Sequence, residues 1–360
     1  MSRKSNKVGC RVLGAMLCAI SVVTLASLAQ ARVGDAAGRP ALIASAFNPT
    51  VWLGAAVAAN HRLVAVGERG RVMVSDDSGV SWRQVPVPVS VTLTAVRFAG
   101  VQGVAVGHGG VVLTSEDNGN TWGVRLDGRQ VAELALQAAT ASHDVARLED
   151  AQRLVDEGPD KPFLDVAIDP QGRLVVVGAY GMMVVSLDRG LTWSVGSERL
   201  NNPEGLHLYA IRQRGHELLL AGERGLVLHS TDDGATFQRL TIPYHGSLFT
   251  AELVGDREIV VAGLKGSLLR SRDEGASWSR LNTSDTASVT GSTLSANGQV
   301  LLVNQAGHVF DLRADGLQPL NTQAMAPLNA VVSLNPGRAV LLSNSGLTSL
   351  TLDPHGGGLK

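Results

Sequence analysis

Five segments of this chain set a hydroxyl, an acid, a glycine, a second hydroxyl and an aromatic ring at one fixed spacing. They are SDDSGVSW from Ser75, SEDNGNTW from Ser115, SLDRGLTW from Ser186, STDDGATF from Ser230 and SRDEGASW from Ser271. Oxygen ligands this close together could bind calcium, or hydrogen-bond a sugar. They could equally hold a turn: an aspartate accepts N–H groups of its own loop, and glycine admits positive φ. The spacing decides between these. The leading serines are 40, 71, 44 and 41 residues apart. A motif that returns with every forty-residue unit belongs to the fold, whereas a site in a repeat protein needs one odd residue at one place. Structural roles are therefore assigned to Asp77, Asp117, Asp188, Asp232 and Asp273. The aromatics Trp82, Trp122, Trp193, Phe237 and Trp278 are expected to start the next strand and pack between sheets.

A second signature precedes each box: an apolar run, then G-x-x-G, then another apolar run. Its second glycines are Gly70, Gly110, Gly181, Gly225 and Gly266, with degenerate copies at Gly307 and Gly346. Each unit reads as four short strands. In the second unit these are LTAVRFA, GVAVG, VVLTS and NTWGVRL, valine-rich runs bounded by Gly and Asp. Seven such units predict an all-β, seven-bladed β-propeller with Asp-box hairpins. The last unit shows only three strands. The apolar stretch near 41–47, ALIASAF, is expected to supply the fourth and close the ring, since an open edge invites aggregation.

The long interval holds an insertion, residues 127–162, between blades 2 and 3. It reads as a helix pair. Val131, Leu134, Ala135 and Ala138 share one face, and Val145, Leu148, Ala151, Leu154 and Val155 share another. Ser142 is the expected N-cap of the second helix, Gly158-Pro159 its stop signal, and Glu149 with Arg153 an i,i+4 pair. Propeller topology puts this interblade connection on the rim of the G-x-x-G turns, opposite the boxes. The turn tips carry Arg69, His108, Tyr180, Arg224 and Lys265. Together with Arg147 and Arg153 of the insert, they are the candidate partner-binding residues. The insert itself reads either as a lid on its own rim or as a partner-binding arm.

The N-terminus reads as a signal peptide over 1–31. Arg3, Lys4, Lys7 and Arg11 precede the apolar stretch Val12 to Leu28, and Ala29-Gln30-Ala31 supplies a cleavage site. The alternative is an uncleaved anchor, for which the apolar stretch is short. The mature chain, 32–360, would then be periplasmic. Cys10 and Cys18 both lie in the signal, so that chain would have no disulfide or thiolate site. It would carry 27 basic against 32 acidic side chains, which argues against nucleic acid or an anionic membrane as partner. No direct membrane span is expected after cleavage.

Enzyme and cofactor signatures are weak. The histidines lack metal-ligand spacing, no G-x-S-x-G elbow occurs, and GHGG at 107–110 reads as a blade turn rather than a phosphate loop. No metal and no cofactor is expected. The boxes, with G-x-x-G-x-[VIL]-x-x-S just upstream, resemble the Asp-box repeats of the photosystem II assembly and stability factor family and its relatives in non-photosynthetic bacteria. The resemblance covers Trp52 to about Leu352. It implies a non-enzymatic propeller that holds a membrane-protein complex during assembly, with a protein as partner. Two alternatives stand beside it. One is a glycan-binding or sialidase-like Asp-box propeller, although the chain has no Arg-Ile-Pro segment and only Tyr180, Tyr209 and Tyr244 as tyrosines. The other is an accessory protein of an envelope exporter.

Overall fold

The computed structural model describes residues 35–43, 50–282, 285–295, 297–314, 316–320 and 325–352. The expected signal peptide lies outside the described residues.

Among the described residues, seven antiparallel sheets follow one another along the chain. Six have four strands and the seventh has three, and every sheet pairs its strands in sequence order. The first strands are Trp52–Val57, Leu93–Ala99, Phe163–Ile168, Leu208–Arg214, Leu248–Val254, Val289–Leu294 and Leu328–Asn335. Each packs beside the first strand of the next sheet, and that of sheet 7 packs beside that of sheet 1. The apolar runs read as strands become the buried second and third strands. LVAVG at Leu63–Gly67 and VMVS at Val72–Ser75 are buried at every position, as expected for strands covered on both faces. Most of the core lies between neighbouring sheets. Sheets 1 and 7 share such a layer, with Trp52, Leu63 and Met73 against Val340 and Leu342. Polar contacts join the same two sheets. Asn329 Nδ2 donates to the Trp52 carbonyl at 2.9 Å and Ser349 Oγ to the Gly79 carbonyl at 3.2 Å.

The stretch expected near 41–47 does not behave as expected where it is described. Ala41 N donates to the Val87 carbonyl, and the Leu42 carbonyl accepts from Gln84 Nε2. Ala41–Ile43 thus run along the outer edge of sheet 1, not sheet 7; residues 44–49 lie outside the described residues. The shared core and the Asn329 and Ser349 contacts are what tie sheet 7 to sheet 1.

The boxes are the hairpins between third and fourth strands. In the first, Ser75 Oγ donates to Asp77 Oδ1 at 2.8 Å and accepts from Gly79 N at 2.9 Å. Asp77 Oδ1 also accepts from Ser81 N at 2.9 Å, and Oδ2 from Ser81 Oγ at 2.5 Å. The ring N–H of Trp82 donates to the Gly79 carbonyl at 3.2 Å. The carboxylate contacts repeat around Asp117, Asp188, Asp232 and Asp273. The residue before each glycine is also left-handed: Ser78, Asn118, Arg189, Asp233 and Glu274 have φ of 62°, 57°, 64°, 59° and 57°. The serine–aspartate bonding holds that two-residue bend. The aromatic does not start the fourth strand, as expected, but precedes it: the strand after Trp122 is Gly123–Leu126. Trp122 is buried, while Trp82, Trp193 and Trp278 are half-buried.

These bonds give the boxes an acid dependence. The hydroxyls of Ser81, Thr192, Thr236 and Ser277, then their N–H groups, hold Asp77, Asp188, Asp232 and Asp273 at about 2, down from 3.8. Asp117 is lowered too; burial opposes the shift, and Thr121's N–H and hydroxyl outweigh it. The folded value lies below the unfolded one. The stabilisation is therefore complete above 3.8 and is lost as pH falls toward about 2. The thermal midpoint should fall steeply through that window. Thr192→Val with Thr236→Val, which removes two of the donors, should lower the midpoint above 3.8 and make the fall below it shallower. A midpoint level across the window would sink this account of the box.

Candidate functional site

The insertion forms two helices, α1 (Gly128–Ser142) and α2 (Val145–Glu157). Asp127 caps α1: its carboxylate accepts from Arg129 N and Gln130 N, while Gln130 reaches back to the Asp127 N–H. The cap of α2 is Asp144, not the expected Ser142. Ser142 is still helical, and its hydroxyl bonds back to the Ala139 carbonyl at 2.8 Å. Asp144 accepts from Ala146 N and Arg147 N after a left-handed turn at His143. Gly158 ends α2, as expected.

α1 lies against the His108–Gly110 turn and the outer strand of sheet 3, Ser194–Val195. The approach is close enough to need two glycines: a Cβ on Gly110 would stand 2.6 Å from Gly128 Cα, and one on Gly128 2.8 Å from the Gly109 carbonyl oxygen. Val131 enters the core between sheets 2 and 3, beside Leu126, Phe163 and Val176. The insert therefore touches the G-x-x-G rim. The two helices differ in cover. α1 buries Val131, Ala132 and Ala139, so its inward face is turned slightly from the expected one, which included Ala138. α2 buries only Ala151. Val145, Leu148 and Val155, expected on a covered face, are 69%, 39% and 38% exposed.

The turn tips share a geometry. Arg69, Tyr180, Arg224 and Lys265 occupy the third position of G-x-x-G, in left-handed conformation with φ of 57°, 56°, 51° and 56°. That conformation swings each side chain off the rim, and all four are exposed. His108 is not their equivalent. Gly109 fills that position in sheet 2, and His108 stands one residue earlier, where sheet 1 has Glu68. Among the described residues, Arg69, Arg224 and Lys265 have no ion-pair partner. The insert arginines do: Arg147 meets Asp144 at 3.5 Å, and Arg153 meets Asp150 at 3.1 Å rather than the expected Glu149.

Two features of this region were not anticipated. The first is a row of rings on the G-x-x-G rim across sheets 3, 4 and 5. Tyr180 meets His207 at 4.9 Å between centroids, His207 meets Tyr209 at 6.2 Å, and Tyr209 meets Phe249 at 5.2 Å, all edge to face. Lys161 Nζ stands 5.4 Å from the centroid of Tyr180. The second is a chain of charges on the first strands. Asp165 receives Arg97 at 2.8 Å and Arg212 at 2.7 Å. Arg212 also meets Glu252 at 3.3 Å, and Glu252 accepts from Ser292 Oγ at 2.6 Å. Burial pushes the Arg97 guanidinium down. Burial acts the same way on Arg212, but Glu252 and Asp165 outweigh it and hold that group up.

No group of three or more His, Cys, Asp or Glu side chains that could hold a metal occurs among the described residues. The GHGG segment is a rim turn in the same frame as the other four. No helix among the described residues is long and apolar enough to cross a membrane.

Residues 145–319, from the start of α2 to the end of sheet 6, match the family model described as Photosynthesis system II assembly factor YCF48. Over this segment, just under half of the chain, the protein is similar to the photosystem II assembly factor family. No curated protein matches it by sequence. Among solved structures, it is similar to YCF48 bound to D1 peptide, at 15% identity and a TM-score of 0.63, over 88% of this chain and 99% of that one. YCF48 from Cyanidioschyzon merolae matches at 14% identity and 0.63, with the same coverage. The GH74 enzyme of Niastella koreensis matches at 15% identity and 0.59, over 85% of this chain and 44% of that one. At such identities these likenesses establish the fold alone. The Asp-box and G-x-x-G signatures that the sequence displays are thus set on opposite hairpins of the first five sheets.

Proposed function

We propose that this chain is an exported, non-enzymatic, seven-bladed propeller that holds a protein partner, part of a membrane complex, during assembly. The partner docks on the rim that carries the helical insert between blades 2 and 3. Cleavage of residues 1–31 leaves the mature protein in the periplasm. One observation carries this reading. The apolar stripe Val145, Leu148 and Val155 is left uncovered on a helix joined to the same rim as the tips Arg69, Arg224 and Lys265, which have no ion-pair partner among the described residues. A lid folded onto its own rim would bury that stripe; an arm offered to a partner leaves it in water until binding. The similar structure solved with a D1 peptide supports a polypeptide as the class of partner.

The test is co-purification from solubilised membranes. Deleting Arg129 to Asp160 should remove the partner while the β-sheet signal in circular dichroism persists. A surface variant, Val145→Ser with Leu148→Ser and Val155→Ser, touches no buried residue and should reduce recovery of the partner about tenfold, as expected for losing roughly 1.4 kcal/mol. Undiminished recovery with a folded surface variant would remove the insert from the docking surface.

A further inference from the structure

The ring row on the rim has no role in the fold that the other sheets repeat. At the second position of the first strand, sheets 2 and 6 carry Thr94 and Thr290. Their hydroxyls donate to the first residue of the next sheet's first strand, Phe163 O at 2.8 Å and Leu328 O at 2.6 Å. At the same position sheets 4 and 5 carry Tyr209 and Phe249, both half-buried. Sheets 1 and 3 carry Leu53 and Leu164 there and sheet 7 carries Asn329, so sheets 4 and 5 alone place rings at this position. The two rings adjoin each other, beneath the tips of sheets 3 and 4. The turn bearing Tyr180 packs against the first strand of sheet 4, and the turn bearing Arg224 against that of sheet 5. Tyr180 is 61% exposed, so the row opens to solvent at one end. The Tyr180 backbone N–H donates to His207 Nδ1 at 2.9 Å, which fixes that end in place.

The charges around the row are unequal. Lys161, at the Tyr180 end, is already met by Glu157 at 2.8 Å and Asp160 at 2.6 Å. Glu223 is turned inward, accepting from His207 N at 3.3 Å. Arg224, near the Phe249 end, has no ion-pair partner among the described residues. Exposed rings have faces and edges free for a further ring, and a free guanidinium takes a carboxylate in two-pronged fashion.

We propose that this row is a peptide subsite, which receives an aromatic side chain of an extended segment at its exposed Tyr180 end while Arg224 takes a carboxylate of the same segment. This rests on the reading that the rim docks a protein, and it names the residue class that the rim selects. The subsite prefers acidic segments with an aromatic residue to acidic segments without one. Rings of this kind and arginine are the residue types that dominate binding at such contacts.

The experiment is affinity selection of a random heptapeptide library on the immobilised mature chain, followed by fluorescence titration of a labelled peptide of the enriched pattern. Enrichment of Phe, Tyr or Trp beside Asp or Glu is expected. Tyr180→Asn keeps the left-handed turn, and Arg224→Gln removes only the charge. Each should weaken the selected peptide at least tenfold and leave the thermal midpoint unchanged. Selection of acidic peptides with no aromatic preference would overturn the subsite and leave the docking rim standing. Selection of aromatic peptides that both variants bind as well as the parent would also overturn it. A library in which nothing is enriched would overturn the subsite and the docking rim together.

Discussion

Asp165→Ala should destabilise the folded chain by about 3–5 kcal/mol, because it strips the partner from two largely buried guanidinium groups. The side chain of Asp165 is 6% exposed. Its carboxylate accepts from four donors: Arg97 and Val166 N at Oδ1, and Arg212 and Ile211 N at Oδ2. Those donors come from sheets 2, 3 and 4, so the residue joins three first strands at one point. Its removal leaves Arg97 without the acid it meets and Arg212 with Glu252. The magnitude belongs to the orphaned charges rather than to the worth of the pair, and this gives the test its form. In a background of Arg97→Met and Arg212→Met, Asp165→Ala should cost much less than alone, since no guanidinium is left stranded. Urea unfolding followed by tryptophan fluorescence measures both. A loss below about 1 kcal/mol for the single variant, or equal losses in the two backgrounds, would show that the charge chain does not bear on stability as argued.

The same cluster marks the limit of what the sequence showed. Periodicity and box spacing were enough for the order of the sheets, because they depend on local chemistry: a two-residue left-handed bend, a carboxylate that satisfies its own turn, apolar runs between. LTAVRFA was read as a first strand and forms one, Leu93–Ala99. The helix pair was legible for the same reason, and its caps less so, since Ser142 and Asp144 compete within one turn and only the chain's path decides between them. Contacts between sheets were not legible. Arg97, Asp165 and Glu252 are the single charges of their first strands and Arg212 is one of two in its own, with alternating sign in four successive sheets. That alternation was a visible signal, but it has meaning only once consecutive first strands are known to be neighbours. The ring row failed to show for a related reason: Tyr180, His207, Tyr209 and Phe249 span three sheets, and only Tyr180 stands in a motif. For α2, an amphipathic pattern said that one face was apolar. It could not say that α1 would cover only the part around Ala151.

Trp122→Ala should cost about 3–5 kcal/mol, the range for emptying a buried aromatic site. Trp122 is the most buried of the box tryptophans, at 8% exposed. It lies in the layer that sheets 1 and 2 share, with Val64, Val96 and Leu113, and it meets Phe98 edge to face at 6.1 Å. Its indole N–H also closes the box, donating to the Gly119 carbonyl at 3.1 Å. Ring and N–H can be separated, because one box of this chain already lacks the N–H. Phe237 occupies the same position in sheet 4 and is 7% exposed, while the serine–aspartate–threonine bonding of its box is intact. The carboxylate is therefore enough to shape the turn, and the ring's main contribution is volume between sheets. Trp122→Phe should then lose only about 1 kcal/mol, near the net value of one hydrogen bond, with the remainder of the alanine loss traced to the cavity. Calorimetry or urea unfolding of the two variants decides it. If Phe and Ala prove equally costly, the N–H bond rather than the packing holds the hairpin, and the box would have to be understood as a hydrogen-bonded lock whose aromatic is incidental.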